Sequence, residues 1–95
     1  MKGIQTIQGA YSDEANGWVS ETIALTGDAY LEVDLPAKGR LVIKKAEQPT
    51  GPWPKAMMTK WTGPEFRVRI YGSDKGKYLK IITTVKPKRI EYANI

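Results

Sequence analysis

The sequence predicts a small all-β domain. Apolar and polar residues alternate with a period of two in AYLEVDL at 29–35 and in EFRVRIY at 65–71, as in strands with one buried and one exposed face. Turn-forming residues separate such segments, and no window shows helical periodicity. A chain of 95 residues can bury one modest core, so we expect a single domain over 1–95.

The alternating segments predict about seven strands, with boundaries defined to within about ±2–4 residues. The predicted strands cover 3–8, 18–25, 29–35, 40–46, 65–71, 77–85 and 88–92. So many short strands in one small domain favour two packed antiparallel sheets, a β-sandwich of Ig-like or jelly-roll style. The alternative is an OB-like barrel, which has five strands.

Two stretches carry the residues of hairpin turns. LPAKGR at 35–40 combines a proline with a glycine, which predicts a hairpin over 29–46 with the acids of its first strand near the bases of its second. YGSDKGKY at 71–78 predicts a second hairpin, and a slip of one residue with Gly76 in a bulge is its alternative register. The expected pairs are Ile70 with Leu79, Val68 with Ile81, Phe66 with Thr83, Arg69 with Lys80, and Tyr71 with Tyr78.

The stretch PTGPWPKAMMTKWTGP at 49–64 contains four prolines and two tryptophans. Its length predicts a stiff connection that crosses from one sheet to the other, with a single helical turn as one option for AMMTKW. Its aromatic side chains either cap the open end of the core or form an exposed patch for a partner. The candidate partner-binding residues are Trp53, Lys55, Met57, Met58, Lys60 and Trp61.

Charge is distributed unevenly along the chain. Residues 1–35 carry one base against six acids, and residues 36–95 carry fourteen bases against four acids, which gives −5 and +10 within a net charge of +5. One interpretation is that acidic and basic strands lie side by side and neutralise each other. The other is a continuous basic surface that attracts nucleic acid. For that case the candidate residues are Arg67, Arg69, Tyr71, Lys75, Lys77, Tyr78 and Lys80.

The C-terminal stretch KPKRIEY at 86–92 combines bases with Pro87. Because proline cannot donate to a ladder, this pattern predicts an edge strand or a break, with charges that discourage edge-to-edge aggregation. The same bases are also a candidate phosphate contact.

Several kinds of chemistry lack their residues. The chain has no histidine and no cysteine, which removes histidine bases, thiolate nucleophiles and disulfides. YGSDKGKY lacks the spacing of a phosphate-binding loop, and AYSDEANGW at 10–18 lacks the spacing of a calcium loop. We therefore expect no catalytic site, metal or cofactor. No stretch matches a signal peptide or a membrane span, so a soluble chain is expected.

The sequence thus predicts a non-catalytic interaction or assembly module. Its expected partner is a protein or a second copy of the chain, for example in a larger particle such as a virion, and no membrane is involved. The tryptophan stretch and the exposed edge strands would form the contact. The alternative is a nucleic-acid-binding β domain that uses the face of the predicted 65–82 hairpin.

Overall fold

The computed structural model describes residues 4–54 and 59–94. They form one antiparallel sheet of eight strands and a single turn of 3-10 helix, Gly72–Asp74. The strands are β1 Ile4–Thr6, β2 Gly9–Ser12, β3 Gly17–Ser20, β4 Ile23–Ala24, β5 Ala29–Ala46, β6 Thr59–Ile70, β7 Tyr78–Thr83 and β8 Arg89–Asn94. The all-β prediction is confirmed, and the choice between sandwich and barrel stays a prediction. No helix among these residues is long and apolar enough to cross a membrane.

The long strand β5 organises the sheet. On one side it pairs with β6 over 29–34 and again over 39–43. On the other side its first part, 29–34, pairs with β8, and its last part, 41–46, pairs with β7. We call the strands around the first part the first half-sheet (β1, β8, β5 and the end of β6). Those around the last part form the second half-sheet (β2, β3, β4, β7, β5 and the start of β6).

The predicted hairpin over 29–46 is wrong, because this segment is one bent strand. Asp34 pairs with Glu65 and Gly39 with Gly63, so β5 takes five steps where β6 takes two. The residues that favoured a turn therefore form a wide bulge. Proline and glycine are common in bulges as well as in turns. Unlike a turn, the bulge lets both parts of β5 pair with strands on both sides.

The predicted hairpin over 65–85 is also wrong, in both registers. Ile70 faces Ala29, Phe66 faces Val33, and β7 lies against β5 rather than β6. The physical reason is that the last part of β5 is paired on both sides, with β6 and with β7. If β7 paired with β6 instead, this part of β5 would be an edge. The connection at 71–77 accordingly joins two strands that are not neighbours.

The connection at 47–58 joins neighbouring strands, so the predicted crossing between sheets is wrong. β5 and β6 form one long hairpin, in which Ile43 faces Thr59. Strand β6 begins earlier than expected and includes Lys60 and Trp61. Part of the suggested helical turn, at 55–58, lies outside the described residues.

The remaining strands follow the predicted order, with three differences. The predicted strand at 18–25 is divided into β3 and β4, and at this break the Ser20 hydroxyl accepts a hydrogen bond from the backbone N–H of Ile81 at 2.9 Å. Strand β2 was not predicted. Strand β8 lies between β1 and β5, so it is not an edge, although Pro87 does lie in the break before it.

A single buried cluster lies on the inner side of both half-sheets. Its members include Leu31 and Val33 from the first part of β5 and Leu41 and Ile43 from the last part. The bend in β5 therefore wraps one sheet around one core. Polar side chains of alternate positions are left on the outside, and these outer faces carry the candidate sites.

Candidate binding surfaces

The outer face of the first half-sheet is covered by an ion-pair network, which we call the ionic face. Arg67 lies 3.0 Å from Glu32 and 2.9 Å from Asp34, measured between side-chain nitrogen and oxygen atoms. Arg89 lies 2.9 Å from Asp34 and also pairs with Glu32 and Glu91. Strand pairing places β5 between β6 and β8, so acids of the middle strand meet bases from both sides. On this face, neutralisation across the sheet is what the structure shows.

Asp34 is the centre of the ionic face. Partial burial by itself would raise its pKa, but hydrogen bonds and charge from Arg67 and Arg89 outweigh this and leave the pKa below its usual value. The same contacts raise the pKa of Arg89. Both groups therefore stay charged at neutral pH, and the network offers little attraction to an external anion.

The outer face of the second half-sheet is different, and we call it the basic face. It is defined by Lys44, Lys60, Lys80 and the ring of Trp53. Lys44 faces Lys80 directly across β5 and β7. In the described part of the chain, none of these three lysines has a carboxylate within 4.0 Å. Like charges opposite each other destabilise a sheet slightly, so an anion placed here would relieve repulsion.

Apolar residues form the floor between the lysines. The register places Lys60 opposite Val42, Val42 opposite Ile82, Ile82 opposite Val19, and Val19 opposite Ala10. Residues paired directly across strands share a face, so this row crosses five strands. At a spacing of about 4.8 Å between strands, the row is roughly 20 Å long.

Trp53 and Tyr11 border the basic face. The ammonium group of Lys80 lies 4.8 Å from the centre of the Trp53 ring, which is a cation–π contact. Trp53, Tyr11, Lys44 and Lys80 line a shallow cavity of about 480 Å³. Tyr11 is 65% exposed. Glu14 also lines the cavity and is the acidic residue of its lining.

The free edge of β6 is a second candidate surface. Within the described residues, β6 pairs only with β5, so its other side is open over twelve residues. Trp61 faces Leu41, a core residue, yet it is 40% exposed. Phe66 and Val68 lie on the same inner row and line a cavity of about 220 Å³ with Trp61. The core is therefore open at this edge.

A third cluster surrounds Arg69. Its guanidinium lies 5.3 Å from the ring centres of both Tyr30 and Tyr71, and it pairs with Asp28 at 3.6 Å. Asp28 accepts a hydrogen bond from the backbone N–H of Gly72 at 2.6 Å. These contacts hold the 3-10 turn against the β5–β6 ladder. The cluster has a structural role, because the guanidinium of Arg69 is already paired with Asp28.

The structure separates the residues predicted to bind a partner. Trp53 lies at the basic face, Lys60 is an exposed residue of β6, and Trp61 lies at the free edge of β6. Lys55, Met57 and Met58 lie outside the described residues.

The residues predicted to bind nucleic acid are also separated, because β6 and β7 are not neighbours. Arg67 belongs to the ionic face, and Arg69 with Tyr71 belongs to the cluster above. Lys77 lies near Glu47 and Asp74, at 3.9 and 3.8 Å. Lys75 is exposed beyond the 3-10 turn, and Tyr78 faces Ala46. From this set, Lys80 and, two residues before it on β7, Tyr78 lie on the outer face of the second half-sheet.

Sequence reasoning did not find Lys44 or Tyr11. Lys44 follows an apolar run, LVI, and its alternation with Val42 indicates an outward side chain. Its position opposite Lys80 depends on the register between β5 and β7, which pairs residues 36 positions apart. Tyr11 lies on β2, a strand that no alternation in the sequence predicts.

Among the described residues, no group of three or more acidic side chains is arranged to hold a metal ion. Comparison with protein-family models, curated proteins and solved structures finds no match to this chain. Its function is therefore argued from the geometry of the surfaces.

Proposed function

We propose that this chain is a non-catalytic interaction module that docks a strand of a protein partner, in the simplest case a second copy of itself, along the free edge of β6. The observation that carries the proposal is Trp61, a tryptophan on the core-facing row that is 40% exposed beside an unpaired strand edge. An open edge is a template for an added strand, and the side chains next to it then select the partner.

The residues of β6 limit where the added strand can lie. Pro64 has no N–H to donate, so it divides the edge into 59–63 and 65–70. The outward positions of the second segment hold Arg67, which belongs to the ionic face. The first segment contains Trp61 and Lys60. An added strand at 59–63 would cover the exposed part of Trp61, which lies at one end of the cavity of about 220 Å³.

The test is sedimentation velocity over a range of concentrations, combined with hydrogen exchange of backbone amides. We expect a concentration-dependent dimer that protects amides within 59–63. Trp61→Ser should weaken the dimer about thirtyfold or more, as for a central aromatic contact in an interface. The matched control is Tyr11→Ser, which removes an aromatic residue that is more exposed but lies on β2.

A wild-type chain that stays monomeric at every concentration, with freely exchanging amides at 59–63, would contradict the docking of a second copy. Equal dimerisation of Trp61→Ser and wild type would also contradict it, because the contact would then lie elsewhere.

A further inference from the structure

We propose a second binding site, on a sheet face rather than at a strand edge: the basic face binds single-stranded nucleic acid, with phosphates at Lys44, Lys60 and Lys80 and a base stacked at Trp53. The site is on the outer face of the second half-sheet, where the cavity of about 480 Å³ lies.

The first argument is charge. Five other bases of the chain, Lys45, Arg67, Arg69, Lys77 and Arg89, have carboxylate partners within 4.0 Å. The three lysines of the basic face have none in the described residues, and two of them face each other. A partner with closely spaced negative charges would neutralise them, and release of counterions from a nucleic-acid backbone would favour binding.

The second argument is the position of an aromatic ring. Trp53 lines the same cavity as Lys44 and Lys80. Lys80 is already held at the Trp53 ring, so a phosphate site and a stacking surface are adjacent before any ligand binds. Aromatic rings beside cations are the elements with which small β domains bind single strands. An acidic peptide would use the lysines but would have no base to stack.

The third argument is size. The row from Lys60 to Ala10 is roughly 20 Å long, which suits the shortest of the single-strand sites, about 4 nucleotides, that small β domains use. The cavity at one side of this row is shallow, so it admits a flexible strand more readily than a stiff duplex.

The experiment measures binding of a fluorescent oligothymidylate of about 12 nucleotides by anisotropy, at several salt concentrations, to the full chain. With three phosphates contacted, the slope of log K against log salt is expected near −2. Lys44→Glu/Lys80→Glu should bring the slope to about −0.7 or abolish binding. The control Lys38→Glu/Lys88→Glu makes the same charge change at two exposed lysines near the β5 bend, and it should keep most of the wild-type slope.

Trp53→Ala tests stacking. It should weaken oligothymidylate binding about 5- to 150-fold. It should leave binding of an abasic strand of the same length unchanged, which also shows that this variant is folded.

Three results would overturn the inference: a wild-type slope near zero, equal loss in the two double variants, or an oligoglutamate of equal charge that binds as tightly as oligothymidylate. The last result would assign the face to an acidic protein. The double variant can be distinguished from a loss of dimerisation, because Lys44 lies on β5 and Lys80 on β7, and Lys60 of β6 is left unchanged.

Discussion

The ionic face and the basic face lie on the two parts of a single strand, yet they use charge in opposite ways. On the ionic face, Glu32 and Asp34 of β5 are surrounded by arginines from β6 and β8. On the basic face, Lys44 of β5 meets Lys80 of β7. The net charge of +5 therefore describes neither face. Charge that is internally paired contributes to folding, whereas unpaired charge is available for binding.

The two faces also differ in what lies beside the charges. The cations of the ionic face are arginines, and Arg67 contacts two acids at once through different nitrogens. The basic face has lysines alone, with apolar residues and an aromatic ring between them. A guanidinium suits a fixed carboxylate because its donors form a rigid fork, whereas a lysine ammonium moves easily toward a ligand. This difference supports a structural role for the first face and a binding role for the second.

The largest expected effect tests whether the two half-sheets are independent. Leu31 lies beneath the ionic face and Leu41 beneath the basic face, and both are fully buried in one cluster. The two variants to compare are Leu31→Ala and Leu41→Ala. Each substitution should lower the free energy of unfolding by about 2–5 kcal/mol. Urea unfolding would be followed by far-UV circular dichroism and by tryptophan fluorescence, since Trp18 and Trp61 both report on the second half-sheet.

Both variants should shift the two signals together, because the cluster is continuous. If Leu31→Ala left the urea midpoint measured by fluorescence at its wild-type value, the two half-sheets would unfold separately. The ionic face and the basic face would then belong to two independent folding units.

A smaller effect is expected on the ionic face. Asp34→Asn should reduce the free energy of unfolding by about 1–2 kcal/mol at pH 7, because it weakens hydrogen bonds between charged groups. The pKa of Asp34 is lowered by folding, so its stabilisation is complete above the unfolded value of about 4 and is lost as pH falls through the folded value. The difference between wild type and variant should therefore shrink below about pH 4.

Glu65→Gln is the matched control for Asp34, which it faces across β5 and β6. Glu65 is exposed, so its substitution should change stability by less than about 0.5 kcal/mol. A difference for Asp34→Asn that stayed constant between pH 7 and pH 3 would show that charge is not the cause.

The smallest effect has the opposite sign. Lys44→Gln removes one of two like charges that face each other, so it should raise the free energy of unfolding by about 0.2–1 kcal/mol at low salt. The gain should disappear at high salt, where surface charges are screened. Lys38→Gln, at an exposed residue in the β5 bulge, should show no gain. Destabilisation by Lys44→Gln would mean that Lys44 makes a favourable contact. The basic face would then lack the uncompensated repulsion that distinguishes it from the ionic face.

The sequence predicted strands well and strand partners poorly. Alternation in 29–35 and 65–71 depends on neighbours two positions apart, so it can be seen locally. The choice between a reversal and a bend at Pro36 and Gly39 cannot, because proline and glycine are common in turns and in bulges alike. Strand β2 was missed because Gly9, Ala10 and Ser12 are small, and its pairing with β3 depends on Trp18, whose ring lies directly over Gly9.

The candidate sites follow the same division. Trp53, Lys60, Trp61 and Lys80 could be singled out from the sequence as candidate binding residues by their aromatic or basic type. Their assignment to separate surfaces could not, because it depends on β5 lying between β6 and β7.

By itself, the sequence determined that this chain forms strands, that a proline-rich segment contains two tryptophans, and that bases exceed acids after residue 35. These properties depend on residue type and short-range spacing. The tertiary structure alone decided that Asp34 meets two arginines while Lys44 meets Lys80, and that Trp61 borders an open edge. The physical reason is that one bulge in β5 sets the register of every strand paired with it, and register decides which charges face each other.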